Sequence, residues 1–206
     1  MYIPSSFTEE DPKILFKLIE EYNFGILFSQ HYEQPEATHL PFLVDRQRGD
    51  HGVLIAHFAK ANKHWRKLIE SKKVLAVFQG PHSYISPSWY EDRAEVPTWN
   101  YATVHAYGIP RIIHDSSELR DMVTRLTHHH EDEIKSDWSI DEVSKQDFET
   151  DLKAIVGIEI EITRLEGKFK FNQNKTEADQ AKVIKNLDKR NRNEVSDIMK
   201  KNLSRK

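Results

Sequence analysis

The sequence predicts a mainly β chain with α-helices, an antiparallel barrel carrying its helices on the outside. Three observations point there. Six or so short β-prone runs follow one another at close spacing, interrupted by helical stretches rather than alternating with them. Ile155–Leu165 reads IVGIEIEITRL, apolar and charged by turns, the pattern of a strand with one wet face. The sequence holds neither GxGxxG nor GxxxxGK[ST], and with no strict βα alternation a doubly wound nucleotide fold is not indicated.

The elements follow in order. Thr8 and Asp11 resemble a capping box with Asp in the usual Glu place, and Pro12 suits a first helical turn. Ile14, Leu15, Leu18, Ile19 and Tyr22 recur at helical spacing, so a helix is expected over 9–22, broken at Gly25. Phe24–Ser29, Ala37–Val44 and Val53–Phe58 are apolar runs that suit buried strands. Asn62–Ser71 reads as a helix, and Val74–Phe78 as a strand ended by a turn at Gly80-Pro81. Residues 82–97 alternate aromatics with Ser and carry two prolines, Pro87 and Pro97, which predicts a long ordered loop. Thr98–Ile113 is β-prone and expected to bend near Gly108-Ile109-Pro110. Helices are expected over 116–135 and 141–149, and Gly167 should turn the chain before a short strand at 168–172. From Thr176 the chain is polar and helical. This divides it into a barrel domain over 1–175, with an N-terminal helix and a helical insertion at 116–149, and a basic helical extension over 176–206.

Composition narrows the function classes. The 206 residues suffice for one domain with a small appendage, and 38% hydrophobic content with a negative mean hydropathy describes a well-charged globular chain. No apolar run reaches bilayer length, and MYIPSSFTEEDP has neither the basic start nor the apolar segment of a secretory signal. With no cysteine, disulfides, thiolate nucleophiles and cysteine-zinc sites are excluded. A cytoplasmic protein without a membrane partner is expected. The net charge of −3 conceals an uneven distribution, because Lys182–Lys206 holds nine basic residues against three acidic ones.

The chemistry concentrates between His57 and Tyr107, where Trp65, Trp89 and Trp99 stand among histidines, Asn, Ser and Lys. Flat aromatic walls interleaved with polar groups suit a planar polar ligand. Lys60, Lys63 and Arg66 follow a strand and enter a helix, an arrangement able to hold a phosphate, though the same spacing suits a charged helix start with solvated lysines. Gly80–Tyr90 can form a ligand wall or a subunit contact. His128–His130 beside Glu131–Glu133 places His129 and Glu133 on one helical face, but no zinc motif is present and a solvated face is the better reading. The C-terminal segment fits a helix-turn-helix poorly: its turn lacks glycine, and its second helix opens with Glu194 and Asp197, which DNA phosphates repel. A helical cover on the barrel is expected instead.

These residues carry a resemblance. YIPSSF at 2–7, ATHLPFLVD at 37–45, AKANKHWR at 59–66, VFQGPHSYISPSWY at 77–90, VPTWNYATVHAYG at 96–108 and VGIEIEITRLEGKFKFNQN at 156–174 together resemble the PaiB family of bacilli, described as FMN-binding negative transcriptional regulators. The resemblance implies the FMN-binding split barrel of pyridoxamine-phosphate oxidases and flavin reductases, a six-stranded Greek-key-like barrel that forms a homodimer with two flavins at its interface. It also implies repression of extracellular protease synthesis and of sporulation, with DNA or a regulatory protein as a further partner. Split-barrel oxidases often hold the flavin phosphate through a Thr and then Ser-Arg-Lys, and here that place reads His57, then Asn62-Lys63-His64. Carried over in this way, the cofactor-binding candidates are Thr38, His39, Leu40 and Pro41 along the flavin edge, then His57, Lys60, Asn62, Lys63, His64 and Trp65, and Gln79, Trp89, Trp99, Asn100 and His105 completing the pocket. No catalytic or metal residue is assigned. Two further readings stand beside the regulator: an FMN-dependent oxidoreductase whose regulatory effect is indirect, and a flavin-free module adapted to another ligand.

Overall fold

The computed structural model describes residues 1–31 and 33–204, so the last two residues of the expected C-terminal extension lie outside the described residues. Its strands are β1 (Thr8–Glu9), β2 (Phe24–His31), β3 (Gln34–Pro41), β4 (Leu43–Asp45), β5 (Val53–Ala59), β6 (Val74–Ile85), β7 (Thr98–Ile113) and β8 (Ile155–Lys170). Its α-helices are α1 (Pro12–Glu21), α2 (His64–Leu68), α3 (Ser116–Ile134), α4 (Lys145–Lys153), α5 (Glu177–Asp188) and α6 (Asn193–Leu203). The chain forms two compact units. Unit 1 comprises 1–18, 79–104 and 166–206, and unit 2 comprises 19–78 and 105–165.

Unit 2 contains part or all of seven strands in the order β3-β2-β6-β7-β8-β5-β4. Strand alternation sends Leu27, Leu54, Ala56, Phe58, Ala76, Phe78, Ile158 and Ile160 inward, where each is fully buried or nearly so. β3 also lies alongside β5, yet among the described residues no backbone ladder joins them. The opposite side of β5 carries Val53 and Ile55, which pack with Ile113, Leu119 and Met122 and with Leu152 of α4. Gly108 makes the close approach of β7 and β8 possible, since a Cβ there would stand 2.4 Å from the carbonyl oxygen of Glu161.

Unit 1 holds β1, residues 12–18 of α1, the outer lengths of β6, β7 and β8, and the α5–α6 hairpin. β1 pairs with β8 through Thr8 and Lys168, and through Glu9 and Gly167. Val183, Leu187, Val195 and Met199 bury the apolar seam of the hairpin. Asn191, at a φ of 56°, takes the left-handed position that reverses the chain between α5 and α6. No glycine is needed there, because Asn tolerates that conformation.

Several local expectations change. Asp11, not Thr8, caps α1, its carboxylate accepting from the Lys13 N–H at 2.9 Å. β6 does not stop at Gly80-Pro81 but runs on to Ile85, because β2 pairs only with Leu75–Val77 and Pro81 takes no donor from that ladder. The loop is correspondingly shorter, with a 3-10 turn at Pro87–Trp89 and anchors from Glu91 to Lys182 and from Glu95 to Lys175. β7 is continuous through Pro110. Gly167 is no turn but a point of β8 where Leu15 and Glu9 leave no room for a side chain. The helix expected over 62–71 is only five residues long. No helix among the described residues is long and apolar enough to cross a membrane.

Glu159 of β8 is buried and clamped by two guanidinium groups. Arg48 donates to both of its oxygens, at 2.5 and 2.8 Å, and Arg111 to one at 2.7 Å. Bonds from Arg48, then from Arg111, pull its carboxyl down to about 2 against the cost of burial. The unfolded carboxyl titrates near ~4.3, so the clamp stabilises fully above that pH and loses its contribution as pH falls toward 2. Thermal melts should show a declining Tm over that window. Glu159→Gln should lower stability at pH 7 by about 2 kcal/mol and flatten the decline, and a variant as acid-sensitive as the parent would contradict the clamp.

Candidate functional site

The sequence-predicted residues divide between the two units. In unit 2, Thr38, Asn62 and His64 come together. Ser29 at the inward end of β2 and Thr38 on β3 face the same way, because Thr38 pairs with Leu27 two residues before Ser29. Between them lies the buried His64 ring, Nε2 at 2.7 Å from the Ser29 Oγ and Nδ1 at 2.8 Å from the Thr38 Oγ1. Asn62 donates its Nδ2–H to the same Thr38 oxygen at 3.3 Å, and its Oδ1 accepts the His64 backbone N–H at 3.0 Å. One consistent proton order runs from Asn62 to Thr38 to His64 Nδ1, with Nε2–H donating to Ser29. The Phe58 ring meets the imidazole edge-on at 5.7 Å. Burial holds the His64 pKa below its ordinary value, with Glu36 pulling the other way. Beside this chain Lys67 pairs with Glu36 of β3 at 2.8 Å.

His64 is therefore occupied on both ring nitrogens, and its role is to hold β2, β3 and the start of α2 together. Ser29, which the sequence reading did not single out, is its second partner. The signal was the alternation of FGILFS, which points a hydroxyl inward after Leu27. Trp65 is buried too, donating its Nε1–H to the Lys60 carbonyl at 3.1 Å and meeting His114 edge-on. His57 shares a strand face with Val53 and Ile55 rather than with Phe58, its Nδ1 has no hydrogen-bond partner among the described residues, and burial lowers its pKa. Leu40 is buried, while Thr38 and His39 point to opposite faces of β3. His39 stacks on Phe24, whose ring is 66% exposed. His105 is half-buried on β7, 6.3 Å from the Tyr107 ring.

What remains open for a ligand in unit 2 is the turn after β5. Lys60, Lys63 and Arg66 are exposed there, and none has a carboxylate within ion-pairing distance among the described residues. Lys60 reaches only the Lys153 carbonyl, at 3.4 Å. With five residues, α2 adds little dipole, so side chains must supply the charge. β3 ends the sheet path, and among the described residues no ladder partner stands on its outer edge, which lies alongside β5. Three exposed cations on the turn that Asn62 ties to Thr38 of β3 are a donor set able to pair with a phosphomonoester such as that of FMN.

The other candidates lie in unit 1. Asn100 is fully buried, its Nδ2–H directed at the Met199 sulfur at 3.4 Å and its Oδ1 without a partner among the described residues. Trp89 is buried beneath the Arg190 guanidinium, 4.9 Å from its ring. Gln79 is exposed near His82, and Trp99 is half-exposed between His82 and Tyr84. Elsewhere, His129, His130 and Glu133 bring ligand atoms within 4.8 Å of one another on a solvated face of α3.

Comparison with known proteins places this geometry. Residues 1–164 match the family model described as "Putative FMN-binding domain". The chain is 36% identical over 187 residues to the protease synthase and sporulation protein PAI 2 of Bacillus subtilis, covering 91% of this chain and 89% of that one. Among solved structures it resembles an FAD- and heme-binding protein of Mycobacterium smegmatis (TM-score 0.61, 13% identity, 79% of this chain and 73% of that one). It also resembles the flavocytochrome Anf3 of Azotobacter vinelandii (TM-score 0.60, 12% identity, 85% and 75%). The fold is the split barrel of flavin-binding proteins.

The His64 chain generates two expected outcomes. Thr38→Val, which leaves the imidazole Nδ1 and the Asn62 amide unpartnered, should lower unfolding free energy by about 1–3 kcal/mol in denaturant titrations. Because burial depresses the His57 and His64 pKa values, the unfolded chain binds more protons. Stability is thus full above the unfolded value near ~6.5 and falls below it. NMR titration of the ring signals should find both histidines charging at lower pH than an exposed histidine does, and a His64 that charges at higher pH would contradict the arrangement.

Proposed function

The chain belongs to the PaiB family, and from that membership we propose that it binds FMN as a homodimer and acts as a negative regulator of protease synthesis and sporulation. The family match over 1–164 supports the cofactor class, and the unneutralised triad Lys60, Lys63 and Arg66 carries the assignment to a phosphorylated ring compound. Lys63 and Lys60 hold the phosphate, Asn62 braces the turn through the Thr38–His64 chain, and the open edge of β3 around Thr38–Pro41 hydrogen-bonds the ring through backbone groups. FMN, when bound, supplies hydride and one-electron chemistry of its own. The likeness to PAI 2 favours the regulator reading over an enzyme.

The homodimer is supported by the outer face of β2 and β3. Phe24 is exposed there against His39, with Ile26 and Phe28 half-buried on the same side. An antiparallel strand face left apolar on the outside is suited to a second copy. The likeness to PAI 2 supports the regulatory role. The flavin then acts as a sensed ligand that shifts which dimer state meets its target.

Purified protein titrated with FMN should acquire the two flavin absorption bands and quench flavin fluorescence, and Lys63→Glu should weaken binding at least tenfold. A colourless protein that leaves the flavin spectrum unchanged would sink the cofactor assignment. Light scattering should give twice the chain mass, reduced to one by Phe24→Glu. Gel shifts across a salt series separate direct DNA contact, which must weaken steeply with salt, from action through a protein partner.

A further inference from the structure

Unit 1 contains a cleft of about 330 Å³ that the proposed flavin site does not use. Its aromatic wall comes from β6 and β7. Trp99 is 52% exposed and Tyr84 45% exposed, their rings edge-to-face at 6.0 Å, with the His82 ring 6.2 Å from Trp99. The cleft is also lined by Arg190 and Arg192, both in the turn between α5 and α6. The left-handed turn at Asn191 separates these two arginines. Arg190 lies over the buried Trp89 ring and donates to the Asn186 carbonyl at 3.2 Å, which fixes its guanidinium. No carboxylate lines the cleft, and among the described residues neither arginine has an acidic partner.

We propose that this cleft is a second binding site, distinct from the flavin site, for a small planar aromatic ring bearing one anionic group. The ring stacks on the free face of Trp99, and the anion pairs with Arg192 and with the pre-set Arg190. The physical reasons are specific. Two large aromatic rings left half in water are poorly placed for stability but well placed for stacking. Two guanidinium groups without acidic neighbours leave a positive field at the same opening, and planar guanidinium forks suit carboxylate and phosphate oxygens. The volume sits at the lower end of small-molecule pockets, enough for a body of mononucleotide size. Arg190 and Arg192 lie beyond residues 1–164, so this opening requires the C-terminal hairpin rather than the matched domain alone.

The test uses the full chain and three probes: adenosine monophosphate, 4-hydroxybenzoate and FMN. Adding either of the first two should shift the Trp99 indole signal in NMR spectra, assigned through Trp99→Phe, and their relative affinities tell phosphate from carboxylate. Arg192→Glu should weaken that binding at least tenfold while FMN titrations stay as in the parent, and Lys63→Glu should do the reverse. No shift with either probe overturns the proposal. So does loss of FMN binding in folded Arg192→Glu, which would merge the cleft with the flavin site. If Lys63→Glu binds FMN normally, the flavin assignment fails while the cleft stands.

Discussion

One buried imidazole ties the connection after β5 to the β2–β3 hairpin. The sheet of unit 2 curls until β3 meets β5, but among the described residues no backbone ladder joins these two strands. His64, at the start of the helix that follows β5, bonds Thr38 of β3 and Ser29 of β2, braced by Asn62, which also reaches Thr38, and flanked by the Lys67–Glu36 pair. Each group in that chain has a partner, so the cost of burying it is largely met. The arrangement also fixes the turn carrying Lys60 and Lys63, neither of which forms an ion pair among the described residues. Rigid seam and available cation are thus produced by the same few residues.

The far side of the sheet is organised differently. There the apolar layer of Val53, Ile55, Leu119 and Met122 does the holding, and the Arg48–Glu159–Arg111 clamp fixes β8 against its neighbours. Clefts lie beside this clamp as well, but Glu159 and Glu118 already neutralise its arginines. Charge that is internally satisfied makes structure, whereas charge left open, as after β5 and at the α5–α6 turn, is what a ligand can use.

Much of this was legible in the residues. Alternation in IVGIEIEITRL located β8, and the periodicity of Ile14, Leu15, Leu18 and Ile19 located α1. The misreadings came from glycine and proline taken as punctuation. Gly80-Pro81 and Gly167 lie inside strands, where they permit close approach instead of reversal, and that depends on neighbours distant in sequence. The candidate site was legible by composition but not by grouping. Asn62, Lys63 and His64 are consecutive, yet one braces, one is free and one is buried. Only the register of β2 against β3 tells them apart. Trp65 and Asn100 lie buried, since aromatic and amide groups serve cores as readily as ligands.

The interleaving of the two units sets an order on biosynthesis. Every stretch of unit 2 has left the ribosome once Leu165 has emerged, so its barrel and the His64 seam can close early. Unit 1 cannot follow until the strand end at 166–170 and the α5–α6 hairpin have been translated. Until then Phe7 and Leu15, both buried in the finished molecule, lack Lys170 and Gly167, which lie against them. A ribosome stalled short of that segment would leave these apolar side chains uncovered while every stretch of unit 2 is already made.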